Sequence, residues 1–230
     1  MPLILLLLLS LLPWVSTADE EPFDFPDEDL ESLTEEVNEG ELEFLLTPPA
    51  ESVHHHINRI QIGEDSLHSG WVELHQCHKH LDAVPHLEIV YHPQRIRHIR
   101  LLRVENIGSS RVIGSRIELR DIGHGASLCL RAESQSLHRS GRSGYQLRNG
   151  PYMRRFLDGY YPMLLTLQVD YPAELIRFTA MRPLPVDSGH ARLGDGRVYW
   201  NGWFQGKLFT EIDFQTLTRV SANKTVQTHD

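Results

Sequence analysis

The chain has 230 residues, 31 acidic and 22 basic side chains for a formal net charge of −9, 14 histidines and two cysteines. Its 40% hydrophobic and 8% aromatic content suits one domain with a sizeable core and excludes wholesale disorder. Two cysteines exclude a disulfide-dense miniprotein and a four-cysteine zinc site.

Residues 3–15 read LILLLLLSLLPWV. The run is shorter than the roughly 20 residues a membrane helix needs and fits the apolar region of a secretory signal peptide. Ser16-Thr17-Ala18 supplies small residues for cleavage after Ala18, although no Lys or Arg precedes the run. Residues 1–18 are therefore expected to be a signal peptide, and no later segment is apolar enough to span a bilayer. The expected location is extracytoplasmic: periplasmic in a bacterium, secreted otherwise. In that setting Cys77 and Cys129 are expected either to form one disulfide or to leave Cys77 free as a metal ligand.

The net charge divides into two parts. Residues 19–51 hold 14 acidic side chains and no Lys or Arg, whereas the chain from Ser52 onward holds 17 acidic and 22 basic residues, a net of +5, and all 14 histidines. The acidic stretch also carries Pro22, Pro26, Pro48 and Pro49, and predicts a disordered arm over 19–51. Residues 52–222 form the expected single β-rich domain and 223–230 a flexible tail.

Within the body the hydrophobic period is 2. In 163–171, Met163, Leu165, Leu167, Val169 and Tyr171 share one face, and after Pro172-Ala173-Glu174 the alternation resumes with Ile176, Phe178 and Ala180, which predicts a hairpin. Residues 110–122 place Ile113, Ile117 and Leu119 opposite Arg116, Glu118 and Arg120, and 127–132 place Leu128, Leu130 and Ala132 opposite Cys129. Segment 94–104 fits a strand or a short helix, and 136–144 reads as a polar loop. Near the C-terminus two strands are expected around Gly202 and Gly206, with Asn201-Gly202 as a turn signal. Strands at short spacing without intervening helices predict a mainly β fold, an antiparallel β-sandwich or an open barrel.

Ten histidines fall within residues 54–98. Imidazole is the commonest nitrogen ligand for transition metals, and thiolate adds a soft donor. Residues two apart on a strand share a face, which pairs His54 with His56, His75 with Cys77, and His78 with His80. These six are the candidate ligands for Zn or Cu. The signal is density rather than a motif: no zinc-finger spacing, no Cys-x-x-Cys-His for haem, no His-Glu-x-x-His and no nucleotide-binding loop is present. The opposing expectation is that these are ordinary strand and surface histidines.

The leading expectation is an exported, non-catalytic binding protein that takes a transition metal. A second is an interaction module for an anionic envelope component, a carbohydrate or a protein, but not nucleic acid. That module would use an aromatic platform of Tyr199, Trp200 and Trp203 and an Arg-rich stretch from Arg95 to Arg120. A third is a metal-dependent hydrolase in which Asp65 or Asp82 joins the histidines.

Overall fold

The computed structural model describes residues 38–184, 189–194 and 196–217. The expected signal peptide, the first part of the acidic arm and the C-terminal tail lie outside the described residues. Fifteen strands and one four-residue helix, α1 (Ser66–Ser69), make up the described chain, as the period-2 pattern predicts.

The larger sheet has nine strands. Its central path runs β1 (Glu43–Leu45), β14 (Arg197–Gln205), β11 (Met163–Asp170), β2 (His55–Gln61), β3 (Trp71–Leu81), β6 (Arg116–Gln135) and β4 (His86–Val90). Off this path, β13 (His190–Gly194) pairs with β14, and β5 (Ile96–Ile113) pairs with β6. A smaller sheet has the order β12 (Ile176–Arg182), β15 (Leu208–Thr216), β8 (Gly144–Tyr152) and β7 (Leu137–Ser140). A separate hairpin joins β9 (Arg154–Phe156) to β10 (Gly159–Tyr161). All pairings are antiparallel except that of β11 with β2, which is parallel. Among the described residues no helix is long and apolar enough to cross a membrane.

One apolar core lies between the two main sheets. It takes Met163, Leu165, Leu167 and Val169 from β11 and Leu128 and Leu130 from β6, against Leu147 of β8 and Ile212 and Phe214 of β15. The alternation read from the sequence is the cause: β11, β15 and the 126–132 part of β6 bury every second side chain, whereas β8 buries Tyr145, Gln146 and Leu147 in succession.

Several local expectations are corrected. Residues 163–182 do not form a hairpin. β11 lies in the larger sheet and β12 in the smaller, so the chain turns at Pro172 and crosses from one layer to the other. β11 buries Met163, Leu165, Leu167 and Val169, whereas β12 buries Ile176 and Met181 on either side of a bulge after Phe178, and the two strands fill the core from opposite layers. β14 and β15 behave in the same way. Asn201-Gly202 is not a turn but lies inside β14, with Gly202 opposite Leu165. The crossing is made at Gly206, whose φ is +85°, and a Cβ there would lie 1.8 Å from the Glu41 carbonyl oxygen. Residues 110–122 are two strands joined at Gly114, and 94–104 is strand rather than helix. The 136–144 stretch is no boundary loop: it enters the smaller sheet as β7 and turns back into β8.

The acidic arm ends earlier than residue 51. Glu43–Leu45 add a strand to β14, and Phe44 packs edge-on against Trp200 with ring centroids 6.3 Å apart. Burial of an aromatic side chain outweighs local charge repulsion there. Trp200 itself is fully buried, so it belongs to the core and not to an exposed aromatic platform. Replacing it (Trp200→Ala) is expected to cost about 3–5 kcal/mol, read as a lowered midpoint of urea unfolding.

Candidate functional site

The inner face of the larger sheet changes character along β2 and β3. In β2, Ile60 is buried at one end and His56 and Asn58 at the other; in β3, Val72 and Leu74 are followed by Gln76 and His78. The register aligns the two changes. Ile60 lies opposite Leu74, Asn58 opposite Gln76, and His56 opposite His78. One end of this face therefore sinks four polar side chains between the sheets, and their polar atoms must find partners inside the protein.

Most do so in a chain of contacts across the interior. The Tyr91 hydroxyl donates to Gln76 Oε1 at 2.6 Å. The Gln76 amide nitrogen lies 2.5 Å from His56 Nε2, which also lies 2.9 Å from Asn58 Oδ1. Asn58 Nδ2 donates to the Tyr152 hydroxyl at 2.9 Å, which carries the chain onto β8 of the opposite sheet. A single ring nitrogen cannot donate and accept at once. With its proton on Nε2, His56 is held by Asn58 and Nδ1 is bare; with Nε2 bare, it accepts from Gln76.

His54, just before β2, completes a group of three imidazoles. Its Nε2 is 2.9 Å from Nδ1 of His78, with the rings stacked at 5.1 Å. His56 and His78 are 4.5 Å apart by centroid, and His54 and His56 6.2 Å. His78 is 3% exposed, and its Nε2 is buried without a hydrogen-bond partner. Burial holds all three uncharged at neutral pH. Desolvation, then the nearby Arg154, His55 and His80, lowers His54 to about 4. Desolvation and His54 lower His56 to about 3 against the opposing hydrogen bond to Asn58. Desolvation followed by His56 and His54 holds His78 well below the usual imidazole range.

A cleft of about 530 Å³ is lined by Ser52, His80, Asp82, His124 and Phe156 among others, and by none of these three histidines. A bulge opens it: the pairing of β3 with β6 shifts between His78 and Leu81, and His80 takes a φ of +52°. Asp82 is gripped by Arg154, whose Nε and Nη2 donate to its two oxygens at 3.0 and 2.5 Å.

The six candidate ligands are thus divided. His54, His56 and His78 come together; the spacing pairs His54 with His56 but sets His78 beside His80. His75 is on the outer face of the sheet, where its Nε2 lies 2.8 Å from Glu73, itself bonded by Arg131. Cys77 is directly opposite Cys129 on that outer face and is disulfide-bonded to it, so it offers no thiolate. His80 is turned out of register by the bulge and does not share a face with His78. Of the carboxylates, Asp65 holds the N-cap position of α1 without a side-chain capping bond, and Asp82 is committed to Arg154. Tyr199 and Trp203 are half-buried on the outer face of β14 while Trp200 points inward. Sequence reasoning missed Asn58, Gln76, Tyr91, Tyr152 and Arg154. Asn58 and Gln76 carried a signal, being polar residues at inward positions of alternating strands; the others are brought in by the opposite sheet and the loops. Among the described residues no group of three or more His, Cys, Asp or Glu side chains is arranged, as it stands, to hold a metal ion.

The neutral cluster makes the metal-free protein acid-sensitive. Unfolded, these histidines protonate below 6.5; folded, His54 resists until about 4. Their contribution is fully present above pH 6.5 and declines as pH falls towards 4. His54 alone loses on the order of 3 kcal/mol over that window, at about 1.4 kcal/mol per tenfold change in proton affinity. Urea-unfolding midpoints measured from pH 7 to 4 in the presence of chelator are expected to fall, and to fall less in His54→Gln.

Comparison of the chain with protein-family models, with curated proteins and with solved structures finds no match.

Proposed function

We propose that the protein is an exported, non-catalytic binding protein that takes a transition metal, Zn or Cu, through His54, His56 and His78. The observation that carries this reading is the convergence of three imidazoles, uncharged at neutral pH, from two neighbouring stretches of sheet. Neutral imidazole is the ligating form, so these rings need lose no proton to bind. The contact between Asn58 and His56 Nε2 supports the same reading. An oxygen accepting from one ring nitrogen fixes the proton there and frees the other, as the outer partners of metal-bound histidines do. The bare or unpaired nitrogen of His78 is a further donor atom without another use. Closing the three around one ion requires turning the rings from their present contacts, chiefly the one that His54 and His78 make with each other.

Purified without a histidine tag and titrated with Zn and Cu, the full chain is expected to bind one ion. His54→Ala with His78→Ala should abolish binding, whereas His75→Ala on the outer face should leave it unchanged. Absence of stoichiometric binding, or equal loss in His75→Ala, would refute the proposal.

A second reading draws on the outer face of β14, where Tyr199 and Trp203 flank Asn201 and face the same side as Leu164, Thr166 and Gln168 of β11. Such a surface of rings beside amides and a hydroxyl suits a carbohydrate or protein partner. Trp203→Ala should then weaken co-sedimentation with envelope polymers without moving the unfolding midpoint; undiminished co-sedimentation would count against it.

A further inference from the structure

We infer that the outer face of the larger sheet binds a carboxylated polysaccharide laid across its strands, with the carboxylates on a row of arginines and the sugar rings against Tyr199 and Trp203. The inference rests on the carbohydrate reading of β14 above and adds the charge of the ligand, its direction and its extent.

Register builds the row. Tyr199 of β14 lies between Arg192 of β13 and Gln168 of β11. Gln168 is beside Arg59 of β2, which is opposite His75 of β3. His75 is opposite Arg131 of β6, and Arg131 is opposite Arg100 of β5. At about 4.8 Å per strand this row crosses roughly 29 Å of sheet. Arg59, Arg100, Arg131 and Arg192 are exposed.

Charge is the first reason for an anionic ligand. The carboxylates of β3, β6 and β11 on this face gather in the adjacent row, and each is already engaged. Glu73 is held by His75 and Arg131, Glu133 by Arg97 and His98, and Asp170 by Arg197 and Gln168. On the other side, the rows running from Asn201 to Cys77 and from Trp203 to Lys79 contain no carboxylate. Arg59, Arg100 and Arg192 have no ion-pair partner among the described residues. Arg100 and Arg131 are set directly opposite each other, a placement in which like charges repel across the ladder. An anion between them reverses that repulsion.

Spacing is the second reason, and it selects the polymer. Arg192 and Arg59 stand three strands apart and Arg59 and Arg131 two, roughly 14 and 10 Å. Duplex nucleic acid carries a charge about every 1.7 Å, far denser than this row. A carboxylated polysaccharide spaces its charges more widely, with hydroxyl-bearing rings between them. The residues between the cations suit those rings. Tyr199 and Gln168 separate Arg192 from Arg59, and in the next row Asn201 Nδ2 donates to the Thr166 hydroxyl at 2.7 Å. Arginine grips carboxylate through two parallel hydrogen bonds, and Tyr and Trp offer apolar surface with a polar tip.

Hexagalacturonate serves as the probe. The full chain is titrated with it by calorimetry, and in parallel with maltohexaose, hexaglutamate and a single-stranded DNA hexamer. Hexagalacturonate is expected to bind one to one, more tightly than the other three, and more weakly as salt is raised. In Arg59→Gln/Arg100→Gln its affinity should fall about tenfold with circular dichroism unchanged. Arg139→Gln/Arg177→Gln, which removes the same charge from the smaller sheet, should leave affinity unchanged. Equal affinity for hexaglutamate or DNA, or equal hexagalacturonate affinity in the two double variants, would overturn the inference. Maltohexaose binding as tightly as hexagalacturonate would overturn it and leave the carbohydrate reading of β14 standing. Binding of neither sugar would overturn both.

Discussion

Three imidazoles held uncharged between two β-sheets constrain the structure around them. A buried neutral imidazole is tolerated only where its N–H and its lone pair find partners, and a buried imidazolium is costlier still. The surrounding side chains meet that demand. Asn58 and Gln76 flank His56 on the same face, Tyr91 closes one end of the contact chain, and Tyr152 reaches across from the opposite sheet to close the other. The same chain ties the two layers together through the bond from Asn58 to Tyr152. Two places escape this accounting: Nε2 of His78, which has no partner, and Nε2 of His56, which can serve Gln76 or Asn58 but not both.

The pleat of the sheet separates chemistry that the sequence interleaves. His75, Gln76, Cys77 and His78 are consecutive, yet they serve two different surfaces. His75 and Cys77 face outward, to an ion-paired glutamate and to a cross-strand disulfide, while Gln76 and His78 face the interior. The disulfide closes β3 onto β6 behind the imidazoles without touching their chemistry. Within β3 the alternation is interrupted at His80, which also lines the cleft.

The fold class was legible because period-2 burial is written locally: every second residue from Met163 to Tyr171 is buried, and so are Leu128, Leu130 and Ala132. Sheet membership was not. Met163–Asp170 and Ile176–Arg182 resemble a hairpin because proximity in sequence and matching apolar faces are common to a hairpin and to a crossing between layers. Which one forms depends on the strands waiting on each side, here β2 and β14 for the first and β15 for the second. The Asn201-Gly202 pair misled for a related reason. Its turn chemistry is real, but Thr166 and Leu165 of β11 hold it in register inside a strand.

For the site, the sequence by itself determined the supply of imidazoles, their concentration in one stretch, and the pairing of His54 with His56, since side chains two apart on a strand point the same way. It also placed Cys77 and His78 on opposite faces once strand geometry was granted. Only the tertiary structure decided that His78 rather than His75 or His80 joins the other two. That choice depends on the register between β2 and β3, on the partner Cys129 that removes Cys77, and on a bulge that turns His80 aside. It likewise supplied Tyr152 and Arg154 from strands some 70 or more residues downstream of β3, because contacts between sheets are set by packing across the core and leave no local trace in the chain.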